Sequence, residues 1–62
     1  MNIERLQKIA DLIKEEGHTN QAEATKAIQN ENFDIAKKHI DNVNMLTAIM
    51  SLLVTYIDKN SN

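Results

Sequence analysis

The apolar positions in the first third of the chain recur at steps of three and four residues. An α-helix advances about 100° per residue, so residues at these steps share one helical face. They are Ile3, Leu6, Ile9, Ala10 and Ile13. Gly17 follows this pattern, and glycine is common just past the end of a helix, where the chain turns left-handed. The pattern predicts an amphipathic first helix over residues 3–16.

A second helix is predicted from a capping signal. Asn20 is followed three residues later by Glu23, which is the spacing of a capping box. The face that follows is narrow and built mainly from small residues, Ala24, Ala27 and Ile28. Such residues bury little area but allow a neighbouring helix to approach closely. We predict this helix over residues 20–30.

The third predicted helix is the longest. Asn32 supplies a cap for its first turn and Asp34 a favourable charge. No glycine or proline follows, so the helix is predicted over 33–58, with 59–62 as a frayed tail. The expected fold is all-α: a single helical domain, residues 1–62, with three antiparallel helices completed by oligomerisation.

The second half of this third helix is apolar over an unusually wide arc. Projected on a helical wheel, its apolar side chains cover roughly 240°, more than the shorter first helix can bury. Soluble monomers rarely expose so large an apolar patch, and a second copy is the simplest cover. The pattern predicts a homodimer or higher oligomer whose protein interface consists of Met45, Leu46, Ile49, Met50, Leu52, Leu53, Tyr56 and Ile57.

Composition narrows the classes of partner. The chain has 62 residues, no cysteine and a net charge of −2. A chain this short buries only about 60% of its unfolded surface, and it has no disulfide to reinforce a small core. Its acidic balance disfavours nucleic acid, whose binding proteins usually carry a basic face. No signal for export is recognised, so a cytoplasmic location is expected.

A membrane span is the alternative reading of the apolar stretch. Residues 42–57 carry no charge, but a spanning helix needs about 20 mostly apolar residues. Polar side chains also interrupt this stretch. The sequence therefore favours a protein-facing surface over a membrane.

Candidate chemistry is sparse. His18 and His39 have no companions at the spacing of a metal site. Ser51 lies within the apolar helix, and the chain has no phosphate loop or nucleophile elbow. We therefore predict no enzymatic activity, no catalytic residues, no cofactor and no bound metal.

One segment resembles a known helical motif. In residues 24–40, small residues precede a turn, and the aromatic Phe33 and then Ala36 and Ile40 follow it. This segment resembles a single tetratricopeptide-type hairpin, and it is similar to a hairpin in the helical A-subunits of lactose-type sugar phosphotransferases. The early Trp and Leu positions of the tetratricopeptide pattern fall on Asn20 and Glu23. The resemblance implies hairpin geometry only.

These observations favour a small regulatory or adaptor protein that associates with itself and with a larger protein. A helix-turn-helix DNA-binding regulator, with its motif over residues 21–40, is the alternative, and a structural or assembly component is another. The bias toward Ile, Lys and Asn suggests a bacterial or phage gene.

Overall fold

A computed structural model describes residues 3–60 of the chain as two helices. Helix α1 spans Ile3–Gln29 and helix α2 spans Phe33–Asn60. They form an antiparallel hairpin measuring 48 × 15 × 11 Å between its Cα atoms. The described residues contain no strand, which confirms the all-α class.

The break predicted between residues 16 and 20 is absent. Helix α1 continues through Gly17, whose φ is negative, and the first two predicted helices are one. The expected three-helix arrangement is therefore corrected to a two-helix hairpin. A glycine inside a helix costs only about 1 kcal/mol relative to alanine. Pairing along the whole of α2 offsets that cost.

The connection between the helices is a three-residue turn. Asn32 N–H donates to the carbonyl of Ala27 at 2.8 Å, and Glu31 N–H donates to that of Ile28 at 2.9 Å. These two bonds form a Schellman motif. Glu31 has φ 57°, so the left-handed position usually given to glycine is held here by glutamate.

Helix α2 begins where the sequence predicts. Asn32 precedes it, its carbonyl accepting from Ala36 N–H at 3.1 Å. The Asn32 Oδ1 atom lies 3.5 Å from Ile35 N, as expected for a cap with a long hydrogen bond. The far end extends further than expected, because Lys59 and Asn60 are helical. The rest of the predicted tail, residues 61–62, lies outside the described residues.

The helices meet along one seam whose residues recur at alternating steps of three and four. This seven-residue repeat is the pattern of coiled coils. On α1 the seam comprises Ile3, Leu6, Ala10, Ile13, Gly17, Asn20, Ala24 and Ala27; on α2 it comprises Ala36, His39, Val43, Leu46, Met50, Leu53 and Ile57.

Burial along this seam is uneven. The buried apolar side chains are Ala24, Ala27 and Ala36, all close to the turn. The larger seam residues farther from the turn are only half-buried. The hairpin is therefore packed most closely near its turn and leaves its open end short of apolar cover.

Gly17 provides a test of the continuous helix. A Cβ atom built at this position meets nothing within 4 Å. We expect Gly17→Ala to stabilise the fold by about 1 kcal/mol, since it improves helix propensity without a clash. Thermal unfolding followed by circular dichroism at fixed concentration should show a higher Tm. The reverse exchange at exposed Ala22, Ala22→Gly, should lower it by a similar amount. A lower Tm for Gly17→Ala would show that the helix breaks here.

Candidate association surface

The apolar residues of α2 are divided between two stripes. Of the eight predicted interface residues, four lie in the seam and are half-buried: Leu46, Met50, Leu53 and Ile57. The other four are exposed: Met45 at 56%, Ile49 at 44%, Leu52 at 74% and Tyr56 at 49%. The structure thus assigns only half of the predicted set to the free surface of the hairpin.

The four exposed residues share a simple positional rule. Each comes immediately before a seam residue, as Leu52 comes before Leu53. Two exposed apolar residues of α1 obey the same rule: Ile9 precedes Ala10, and Leu12 precedes Ile13. Ile9 is 41% exposed and Leu12 is 63% exposed.

This rule places all six side chains on one side of the hairpin. A residue one position before the seam is rotated about 100° away from it. Because α1 and α2 run in opposite directions, that rotation leads to the same side of the pair from both helices. We call this group the apolar face: Ile9, Leu12, Met45, Ile49, Leu52 and Tyr56.

The two parts of the apolar face also lie at the same level along the hairpin. Ala10 borders the same surface depression as Val54 and Ile57. Ile13 borders another together with Met50. Ile9 and Leu12 are therefore level with the stretch of α2 that carries Ile49, Leu52 and Tyr56. The apolar face is one patch near the open end.

The same side of the hairpin is mainly polar near the turn. The residues that precede seam positions there are Glu16, Thr19, Glu23, Lys26, Lys38 and Asn42, with Ile35 as the apolar exception. All of them are exposed. The apolar face therefore has a defined boundary about halfway along the hairpin.

The opposite side of the hairpin is more mixed. One of its depressions is an open groove of about 390 Å³ beside Gly17, with Val43, Leu46 and Met50 in its wall. Lys14, Gln21 and Thr47 also border it. Exposed Ile28 and Ile40 lie on this side and border one depression near the turn, and exposed Val54 lies towards the open end. This side exposes fewer large apolar side chains than the apolar face.

A polar cluster interrupts the seam in the turn half. Asn20 is 6% exposed, and its Nδ2 donates to the Glu16 carbonyl at 2.8 Å. Its Oδ1 accepts from Asn42 Nδ2 at 3.2 Å and lies 2.9 Å from His39 Nδ1. An amide oxygen carries no hydrogen, so His39 Nδ1 must be the donor in this contact. Asn20 was predicted as a helix cap but instead joins the two helices.

Two other kinds of site bear on the partners of this protein: a metal site and a membrane-spanning segment. Within residues 3–60, no three His, Asp or Glu side chains are grouped as a metal site. By length and composition alone, helix α2 could cross a membrane: its most apolar stretch of 18 residues has a mean hydropathy of 1.4. In the hairpin, however, α2 is paired with α1, whose residues 4–16 include seven charged side chains. Spanning a bilayer as a hairpin would bury those charges in hydrocarbon.

Comparisons of the chain with known protein families, curated proteins and solved structures give no match.

The sequence interpretation missed the α1 half of the apolar face and the contact between Asn20 and His39. Both follow from the seven-residue repeat, which continues across Gly17 without a change of phase. Following the repeat from Ile13 through Gly17 to Asn20 would have placed Asn20 in the seam. The same repeat would also have placed Ile9 and Leu12 next to the seam, on its exposed side.

Proposed function

We propose that this protein is a non-enzymatic association module of the regulatory or adaptor type, which self-associates through the apolar face. The observation that carries the proposal is the grouping of six large apolar side chains, each 41–74% exposed, on one side of the hairpin. Apolar patches of this kind on soluble proteins mark interaction sites. Leu52 and Tyr56 have the size and chemistry of interface anchors.

The weakness of the hairpin's own core supports the same proposal. Its buried apolar residues among positions 3–60 are three alanines, which contribute little burial energy. A two-helix pair with so small a core is marginal as an isolated unit. Self-association would add the missing apolar burial, as four-helix bundles do.

A helix-turn-helix regulator is less well supported by the geometry. In that motif the two helices cross at a large angle so that the second enters the major groove. Here α1 and α2 are antiparallel neighbours, and the acidic residues Glu23 and Glu31 stand on either side of Lys26 in the sequence. A structural or assembly role would use the same apolar face but would produce larger oligomers.

The proposal is tested by measuring mass against concentration. Sedimentation equilibrium from about 1 to 100 µM should show a reversible rise from one copy to two, as expected for an association of moderate affinity. Flotation with neutral and anionic vesicles is the matched measurement for membrane attachment. A concentration-independent monomer that remains free of vesicles contradicts self-association. A monomer that floats with vesicles assigns the apolar face to a membrane surface instead.

A further inference from the structure

We propose that two copies pack with their apolar faces together and with equivalent helices running in opposite directions. The two copies are related by a two-fold axis that lies between these faces, at right angles to the helices and level with the open half of the hairpin. This inference rests on the proposed self-association and specifies its geometry. In this arrangement α1 packs on α1 of the second copy, and α2 packs on α2 of the second copy.

The order of residues on α1 is self-complementary. Ile9 and Leu12 form its apolar centre, and Arg5 and Glu16 lie four positions outside them on either side. Arg5 and Glu16 also precede seam residues, so they lie on the same side as the apolar face. When α1 pairs with a reversed copy about the midpoint of Ile9 and Leu12, Ile9 meets Leu12 of the second copy. Arg5 then meets Glu16 of the second copy, and this ion pair forms twice.

The order of residues on α2 is also self-complementary. Ile49 and Tyr56 are placed symmetrically about the peptide between Leu52 and Leu53. In a reversed pair Ile49 therefore meets Tyr56 of the second copy, and Leu52 lies beside its own equivalent at the axis.

One two-fold axis can relate both pairs of helices only if the midpoint of the α1 pairing and the midpoint of the α2 pairing lie at the same level of the hairpin. On α1 the midpoint falls between Ala10 and Asp11. Those residues share a surface depression with Val54 and Ile57, while Ile13 is grouped with Met50. The α1 midpoint therefore lies beside the stretch 50–57 of α2, which also contains the midpoint between residues 52 and 53. Both midpoints therefore fall in the same part of the hairpin, as a single axis requires.

A two-fold axis parallel to the helices is the alternative, and it agrees less well with the charges on the hairpin. It would overlap the hairpins along their full length and cover the charged turn half, including Glu23, Lys26 and Lys38. The proposed axis restricts contact to the open half and leaves those residues in water. Removing charged side chains from water is costly, so the shorter overlap is favoured.

Charge reversal tests the predicted ion pair. Arg5→Glu and Glu16→Arg should each weaken dimerisation, on the order of tenfold, because each places two like-charge contacts in the interface. The double variant Arg5→Glu/Glu16→Arg should restore most of the affinity. Glu15→Arg is the matched control, since Glu15 is exposed away from the apolar face and its reversal should leave the dissociation constant unchanged.

Cross-linking tests the axis directly. The chain has no cysteine, so Leu52→Cys introduces one thiol per copy next to the proposed axis. Oxidation should join two Leu52→Cys copies rapidly, whereas Ala48→Cys, on the outer side of α2, should cross-link poorly. Small-angle X-ray scattering of the unmodified dimer should give a length of roughly 70 Å, against roughly 50 Å for full overlap of hairpins 48 Å long.

Failure of the geometry and failure of association give different results. A dimer that is insensitive to Glu16→Arg, is not cross-linked through Leu52→Cys and measures roughly 50 Å overturns the proposed axis but leaves self-association intact. A protein that stays monomeric at every concentration overturns both. Restored affinity in the double variant together with the Leu52→Cys cross-link supports the axis.

Discussion

Leu52→Asp is expected to abolish self-association while leaving the helices formed. Leu52 is 74% exposed in the hairpin, so the substitution removes little from the internal packing of one chain. In the dimer it removes a central apolar contact from each copy and introduces two carboxylates at the interface. We expect the dissociation constant to rise by at least about a hundredfold, measured by sedimentation equilibrium.

Ser51→Asp is the matched control on the same helix. Ser51 follows the seam residue Met50, so it lies away from the apolar face, and the same added charge should change affinity little. Leu53→Asp should behave differently from both, because Leu53 lies in the seam and its loss should also reduce helical content. Equal dissociation by Leu52→Asp and Ser51→Asp would contradict an oriented interface.

Ala36→Leu is expected to destabilise the hairpin itself. Ala36 is 3% exposed and lies in the seam near the turn, where Ala24 and Ala27 are also buried. A leucine there needs space that closely packed alanines do not leave, and overpacking of this kind costs about 1–3 kcal/mol. For a domain this small, that change should lower the Tm by 10 °C or so, at roughly 4–8 °C per kcal/mol.

The control for overpacking is Ala48→Leu. Ala48 is exposed on the outer side of α2, where added volume meets solvent. Its effect on urea-induced unfolding should remain within about 0.5 kcal/mol. If Ala36→Leu is equally mild, the helices near the turn are not in close contact.

Some of the fold could be predicted from local signals. The start of α2 depends on Asn32 and Asp34, which act within a single turn of helix, and the sequence locates it correctly. The wide apolar arc of α2 is likewise a property of one helix. Such features are determined by residues close together in the chain, so periodicity and capping rules are sufficient to find them.

The break predicted at Gly17 shows where local rules fail. Gly17 and the Asn20–Glu23 spacing are both signals for a helix boundary, but each is worth only about a kcal/mol. A continuous seam against α2 outweighs them. Conversely, the left-handed residue of the real turn is Glu31, which no composition rule for turns would select.

The division of the predicted interface residues between the seam and the free surface could not be derived from the sequence, for a related reason. Helical periodicity shows that α2 is apolar on more than one side, but it does not show which side faces α1. Leu53 lies at the centre of the arc and is a natural choice for an intermolecular contact. Only the position of α1 assigns Leu53 to the seam and Leu52 to the free surface.

The polar cluster at Asn20 has a consequence for how the chain selects one pairing over others. A seven-residue repeat allows α2 to slide by one repeat along α1 while still matching apolar positions. Such a slip would separate Asn20 from His39 and Asn42 and leave its Oδ1 atom buried beside apolar side chains, at a cost of about 1–3 kcal/mol. The open half contains only apolar seam residues and would tolerate the shift. The alignment of the whole hairpin is therefore specified from its turn half, where a hydrogen-bonded asparagine makes the slipped alternatives less stable.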